Sequence, residues 1–238
     1  MQDITVVPDA AAKMQLLKRL ASTDTAVAVS FVNAHAMNSM VKDDRFFDAL
    51  LAADVILRDG SGMNTLYRAL EIPAGLNMNG TDFIPELLAE FRGRRVALWG
   101  TAEPYLERAA TRCEQEFGVS VVSRMHGFND PDTYVSVARQ LDVDLFLLGM
   151  GMPKQEIIAR QIRNVLPHAA VIVCGGAIID FLAERFPRAP HWMRRLGLEW
   201  LFRLSREPGR LFKRYVVGNL AFMLRVSMFR KKRGYRNV

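Results

Sequence analysis

Asp59 is the residue in this sequence best placed for proton chemistry. It follows the short apolar run "VILR" and precedes Gly60, so a sharp turn can leave its carboxylate at the end of a strand. A carboxylate there can take a proton from a hydroxyl. The other role open to Asp59 is the N-cap of the next helical stretch, "SGMNTLYRAL". His35, in Asn33-Ala34-His35 after "AVAVSFV", is a competing base or a structural histidine. "GMGMPKQE", Gly149 to Glu156 after "LFLL", has the parts of an anion site. Its glycines let backbone approach a ligand, Pro153 suits a first helical turn, and the free N–H groups there attract a phosphate. It lacks the third glycine of a dinucleotide fingerprint and lies late in the chain, so a plain tight turn is the alternative. Gly175 and Gly176 follow "VIVC" in the same way.

Other acidic and sulfur groups read as structural. Asp142-Val143-Asp144 has the spacing that can hold a divalent cation, but it precedes "LFLLG", at the amino end of that strand. Asp43-Asp44 sits in a helical pattern and reads as a solvated face. Cys113 and Cys174 lie far apart in apolar surroundings, without CxxC spacing or paired histidines, and read as reduced, buried thiols. Neither a metal site nor a cofactor is expected.

The elements that position these residues alternate plainly. From Arg94 to Cys174 the order is β-α-β-α-β-α-β: "RRVALWG", "EPYLERAATRCEQEF", "GVSVVSR", "PDTYVSVARQL", "DLFLLGMG", "PKQEIIARQIRNVL" and "AAVIVCGG". "TAVAVSFVN" and "ADVILRDG" add two strands before it, with the helical "AMNSMVKDDRFFDALLA" between them. "NGTDFIPELLAEF" reads as a capped helix. Continuous apolar strands separated by amphipathic helices predict an α/β fold, a Rossmann-like parallel sheet with helices on both faces. Ligands of such sheets bind outside the carboxyl ends of the strands, and all four candidate segments lie there.

The chain has 238 residues, half of them apolar, enough for one large core. The pattern changes after Phe186, where prolines punctuate two or three short helices that mix basic with apolar and aromatic residues. We therefore expect a catalytic body over residues 1–187 and a basic helical appendage over 188–238. The appendage carries fourteen Lys and Arg against Glu199 and Glu207, a balance of +12, which leaves −5 for the body out of a total of +7. Such asymmetry points to a polyanionic partner or an anionic membrane surface. No run approaches the ~20 apolar residues needed to cross a bilayer, and the N-terminus lacks a secretory h-region, so the protein is expected to stay inside the cell. A nucleic-acid-binding protein gripping phosphates with this tail is the alternative, although the tail is amphipathic rather than uniformly basic. A nucleotide-binding oxidoreductase is disfavoured by the incomplete fingerprint.

Taken together, "NAH", "RDGSG", "NGTDF", "GMGMPKQE" and "CGGAIIDFLAERFPRAPHWMRRLGLEWLFRLSREPGR" resemble the WecG/TagA/CpsF glycosyltransferases, over roughly residues 25–217. The resemblance implies an inverting, metal-independent transferase that moves a sugar from a UDP-sugar to a sugar on a polyprenyl diphosphate in surface polysaccharide biosynthesis. N-acetylmannosamine, its uronic acid or glucose is the sugar it implies. It also implies peripheral attachment at the cytoplasmic face of the bacterial inner membrane and no nucleic-acid partner. Asp59 matches the family's general base. Arg203 and Arg210, then Arg214 or Lys213, match the appendage arginines that complete the site over the diphosphate. Gly151, Gln155, Gly176 and Asp180 become donor-nucleotide contacts. Asn33 and the stretch Asn79, Thr81 and Asp82 become sugar or phosphate contacts. His35, Gly60, Gly100, Gly149, Lys154 and Gly175 complete the substrate-binding set. Relatives often carry a threonine two positions before the motif asparagine, where this chain has Phe31; any role of that hydroxyl falls to Ser30 or His35 or is lost.

Overall fold

A computed structural model describes residues 3–234. Its strands are β1 (Ala26–Val32), β2 (Val55–Arg58), β3 (Arg95–Gly100), β4 (Ser120–Met125), β5 (Leu145–Gly149) and β6 (Ala170–Cys174). They form one sheet in the order β2-β1-β6-β5-β3-β4, and every neighbouring pair is parallel. The expected fold class is the observed one. The two halves of the chain share this sheet without a break, because β6 pairs with β1 on one side and β5 on the other.

The helices are α1 (Ala10–Ala21), α2 (Ala34–Met40), α3 (Asp44–Leu51), α4 (Ser61–Leu70), α5 (Gly80–Glu90), α6 (Tyr105–Arg112), α7 (Pro131–Gln140), α8 (Lys154–Val165) and α9 (Ile178–Leu182). After Pro187 come α10 (His191–Arg195), α11 (Glu199–Arg206), α12 (Pro208–Phe212) and α13 (Gly218–Gly234). The stretch expected as one helix between β1 and β2 is two, because Asp43 caps a new start by accepting from the Phe46 N–H at 3.1 Å. α1 was not among the expected elements.

Side chains alternate across a strand, so the central strands feed two cores. Val29, Leu98, Leu147 and Val173 point to one face, with Leu17 of α1 and Leu87 of α5. Trp99, Phe146, Leu148 and Ile172 point to the other, with Ile158 of α8 and Tyr134 of α7. A third cluster joins Val32 and Ile56 to Phe46, Met63 and Tyr67, and it takes in Phe222 and Val226 of α13. The last helix is thus fastened to α2 and α4 by apolar burial. Polar contacts reinforce it, as Asn38 donates to the Gly218 carbonyl at 2.7 Å and accepts from Arg225; between α10 and α11, the Gly197 carbonyl accepts from Ser61 at 3.2 Å. These contacts stretch the segment after Pro187 along the carboxyl edge of the sheet.

The Asp142–Asp144 pair lies at the opposite edge, as its place before β5 requires. Asp144 accepts from the Arg95 N–H at 2.9 Å and Asp142 pairs with the Arg95 guanidinium at 2.5 Å, fixing the start of β3. Both cysteines are free and buried.

Candidate active site

β2, β1, β6 and β5 are consecutive in the sheet, so the loops after them form one continuous rim. Asp59 enters from β2. Its backbone N–H donates to the Val32 carbonyl at 2.8 Å, which holds the turn level with the end of β1. Gly60 has φ 87°, a backbone that favours glycine, and the helix after it has no side-chain cap. The capping role for Asp59 is therefore not realised. Its Oδ2 instead accepts from Asn33 Nδ2 at 3.2 Å, while Asn33 Oδ1 caps α2 by accepting from the N–H groups of His35 and Ala36, each at 3.0 Å. Burial raises the Asp59 carboxyl above its ordinary range, opposed by the Asn33 hydrogen bond and the charges of Arg214, Arg203 and Arg58.

A cavity of about 230 Å³ opens between Asp59 and the glycine loops, and Gly80, Thr81, Asp180, Arg203 and Arg214 also line it. Gly151 and Gly176 have φ 81° and 59°, and a Cβ built on either meets nothing within 4 Å. Gly149 and Gly175 are glycine for packing, since a Cβ would strike Ile179 in one case and Ile178 in the other. Gln155 ties the two loops together, its Oε1 accepting from the N–H of Gly151 at 3.1 Å and of Gly176 at 3.0 Å. Asp180 accepts from Thr101 Oγ1 at 2.6 Å and pairs with Arg185 at 3.1 Å.

A larger cavity of about 550 Å³ adjoins the first and shares Asn33, Asp59, Thr81, Arg203 and Arg214 with it. Its far wall comes from the C-terminal helices, through Arg194, Glu199, Trp200, Tyr215 and Met223. Trp200 and Tyr215 meet edge to face at 6.1 Å. The Arg203 guanidinium lies 5.3 Å over the Phe181 ring and that of Arg214 lies 5.5 Å over Tyr215, so aromatic faces hold both cations at the cavity. His35 faces this cavity too; burial, and then Arg214, push its imidazole down to about 4, so it is neutral near pH 7. Asn79 caps α5 by accepting from the Asp82 N–H at 3.0 Å, and the Asp82 carboxylate pairs with Arg188 at 2.8 Å. Although burial alone would raise Asp82, the Asn79 and Arg188 hydrogen bonds and the charges of Arg188 and Arg194 hold it below its usual range.

Of the expected site residues with described side chains, Lys154, Gly100 and the exposed Lys213 lie outside both cavities, so of Arg214 and Lys213 it is Arg214 that stands at the site. Lys154 turns away, donating to the carbonyls of Gly127 at 3.0 Å and Asn129 at 2.6 Å, where it holds the loop after β4. Gly100 is a packing position, since a Cβ there would lie 2.4 Å from the Gly149 carbonyl oxygen. Arg210 falls on α12, and its side chain lies outside the described ones. In the place of the absent threonine, Phe31 packs edge to face on Phe83 at 6.1 Å. Ser30 is buried beside Cys174, which leaves His35 as the polar group of that pair at the cleft. Sequence reasoning missed Arg194, Glu199, Trp200 and Tyr215 as individual site residues. The signal was the interleaving of arginine and aromatic residues between 188 and 219, but which of them face inward depends on how the helices dock.

The family model for the glycosyl transferase WecG/TagA/CpsF family matches residues 3–237. Among curated proteins the chain is similar to the N-acetylglucosaminyldiphosphoundecaprenol N-acetyl-beta-D-mannosaminyltransferase of Bacillus subtilis (strain 168), 29% identical over 187 residues, covering 76% of this chain and 72% of the relative. It is also similar to the Bacillus spizizenii protein of the same name, 26% identical over 174 residues, covering 71% and 67%. With its parallel sheet, its rim of glycine loops and a match over nearly its whole length, this chain belongs to the WecG/TagA/CpsF family of glycosyl transferases.

Proposed function

We propose that the chain transfers N-acetylmannosamine from its UDP derivative to N-acetylglucosamine carried on undecaprenyl diphosphate, the acceptor named for both relatives. The observation that carries this reading is that two adjacent cavities share Asp59. The smaller, ringed by glycine-loop backbone, takes the donor diphosphate, and the larger takes the acceptor. The acceptor hydroxyl then approaches the anomeric carbon from the side opposite the leaving group. A β-linked product, as the relatives' names state, made from an α-linked sugar nucleotide requires inversion in one displacement.

In that step Asp59 accepts the proton of the acceptor hydroxyl, the oxygen bonds to the anomeric carbon, and the bond to UDP breaks. The charge growing on UDP is met by the N–H groups of the glycine loops and by Arg203 and Arg214, which act most strongly where water is excluded. These groups support a mechanism without a metal. Glu199 is a further carboxyl at the cleft, besides Asp82 and Asp180, which are held by Arg188 and Arg185; it is raised by burial and by its acidic neighbours Asp82 and Asp59 against the charges of Arg188 and Arg203. It lines the larger cavity alone, so it is the poorer candidate for a group that must reach the bond between the two substrates.

The lipid acceptor calls for a membrane, and no helix among the described residues is long and apolar enough to cross one. Leu220, Met223, Leu224 and Met228 form an exposed stripe at helical spacing on α13, and Met223 also lines the larger cavity. We assign residues 188–238 as an appendage that rests this stripe on the cytoplasmic leaflet while its inner face completes the site. Basic residues near an anionic surface add about 1 kcal/mol each. Thermal stabilisation by UDP, but not by NAD or oligonucleotides, tests the donor assignment. Flotation on anionic liposomes tests the membrane foot.

A further inference from the structure

Behind the two glycine loops lies a buried amide and carboxyl pair whose hydrogen-bonding direction is fixed. Gln155 and Glu156 are each 1% exposed. Backbone N–H groups only donate, so the Gln155 oxygen must face Gly151 and Gly176, and its NH₂ must find an acceptor elsewhere. It finds Glu156 Oε1 at 2.9 Å. The other Glu156 oxygen is buried without a hydrogen-bond partner. Beside the carboxyl lies the buried Cys174 thiol, whose own ionisation is pushed further up by it. Burial raises Glu156 to about 7. The buried carboxyl carries a desolvation cost that an apolar side chain would not, but an apolar side chain would leave the Gln155 NH₂ without its acceptor. The Gln155 oxygen is a single side-chain acceptor for the N–H groups of both Gly151 and Gly176, and the space beside those two α-carbons is open.

We infer that Glu156 is a positioning residue: by accepting from Gln155 it locks that amide in the one orientation that clamps the Gly151 and Gly176 loops to each other. The clamp sets the spacing of the N–H groups around the smaller cavity. It rests on the proposed donor site for the identity of the ligand, a nucleoside diphosphate, but not for the clamp itself.

The test compares wild type with Glu156→Leu, which fills the site without an acceptor, and Glu156→Gln, which keeps one. Amide hydrogen exchange at Gly151 and Gly176, UDP affinity by calorimetry and melting temperature are measured on each full-length protein. Glu156→Leu is expected to speed exchange at both glycines and weaken UDP about tenfold, the worth of about one hydrogen bond, with a small change in melting temperature because the relieved carboxyl desolvation is opposed by the orphaned Gln155 NH₂. Glu156→Gln is expected to restore both exchange and affinity. Wild-type exchange and affinity in Glu156→Leu would overturn the clamp, as would a Glu156→Gln protein as impaired as the leucine variant. Should the leucine variant not fold, Glu156→Met serves in its place. If wild type itself fails to bind UDP the donor reading falls, while the exchange comparison still decides the clamp.

Discussion

Asn33 serves Asp59 and α2 at once: its Nδ2 donates to the Asp59 carboxylate at 3.2 Å while its Oδ1 caps the helix through the His35 and Ala36 N–H groups at 3.0 Å. The cap fixes the asparagine rotamer, and the asparagine in turn aims the carboxylate proposed as the base. Replacing it by alanine removes both functions. Asn33→Ala should cost about 1 kcal/mol of stability, as lost caps do. It should also lower kcat by about ten- to a hundredfold while changing UDP affinity little. Steady-state kinetics beside UDP calorimetry check this, and a loss confined to UDP affinity would count against an orienting role.

As the proposed base, the same carboxyl should set the acid side of the pH profile. Burial raises Asp59, and it acts only when ionised, so activity should rise with pH through a pKa above the ordinary carboxylate value. The Asn33 hydrogen bond and the Arg214 charge both lower that pKa, so Asn33→Ala and Arg214→Ala should each move the acid limb to higher pH. Profiles of kcat/KM for the three proteins read this directly. A limb that moved to lower pH, or not at all, would contradict the assignment.

His35 makes a prediction of the opposite sign for stability. Its folded pKa is lowered from 6.5 to about 4, so between those values the unfolded chain binds a proton that the folded chain does not. Stability should therefore fall as pH drops from about 6.5 towards 4. Glu156, raised to about 7, contributes in the other direction over part of the same range. The comparison is accordingly wild type against His35→Gln, and urea midpoints at pH 7 and 5 should show the larger acid loss in wild type.

Much of this site could be read from the sequence because its pieces sit directly after apolar runs. "VILR" before Asp59 and "LFLL" before Gly149 declare strands, and a parallel sheet gathers the turns after its strands at one edge. The part that could not be read depends on side-chain direction across tertiary contacts. Lys154 has the sequence context of a phosphate ligand, yet it turns to the carbonyls of Gly127 and Asn129 because the loop after β4 lies within its reach. Trp200 on α11 and Tyr215 just before α13 line the cleft, and Phe222 and Val226 anchor α13 among Val32, Phe46 and Met63, a docking that no local pattern declares.

That anchoring is testable in itself. Phe222 is 2% exposed among Val32, Phe46 and Met63, and cutting it to alanine should cost about 3–5 kcal/mol of local stability. Phe222→Ala should loosen α13, slow transfer and leave UDP binding largely intact. A chain ending near Pro187 should lose catalysis as well as liposome binding, because Arg203 and Arg214 leave with the apolar stripe. Full catalysis by the truncated chain would refute the assignment of these arginines.

The most direct measurement is transfer of labelled N-acetylmannosamine from UDP to lipid-linked N-acetylglucosamine by wild type and by Asp59→Asn, each with UDP affinity determined in parallel. The wild-type enzyme should form the β-linked disaccharide lipid. Asp59→Asn should bind UDP as wild type does while transferring at least about a hundredfold more slowly, the usual contribution of a general base. Transfer at the wild-type rate by Asp59→Asn with UDP bound would show that another group takes the proton.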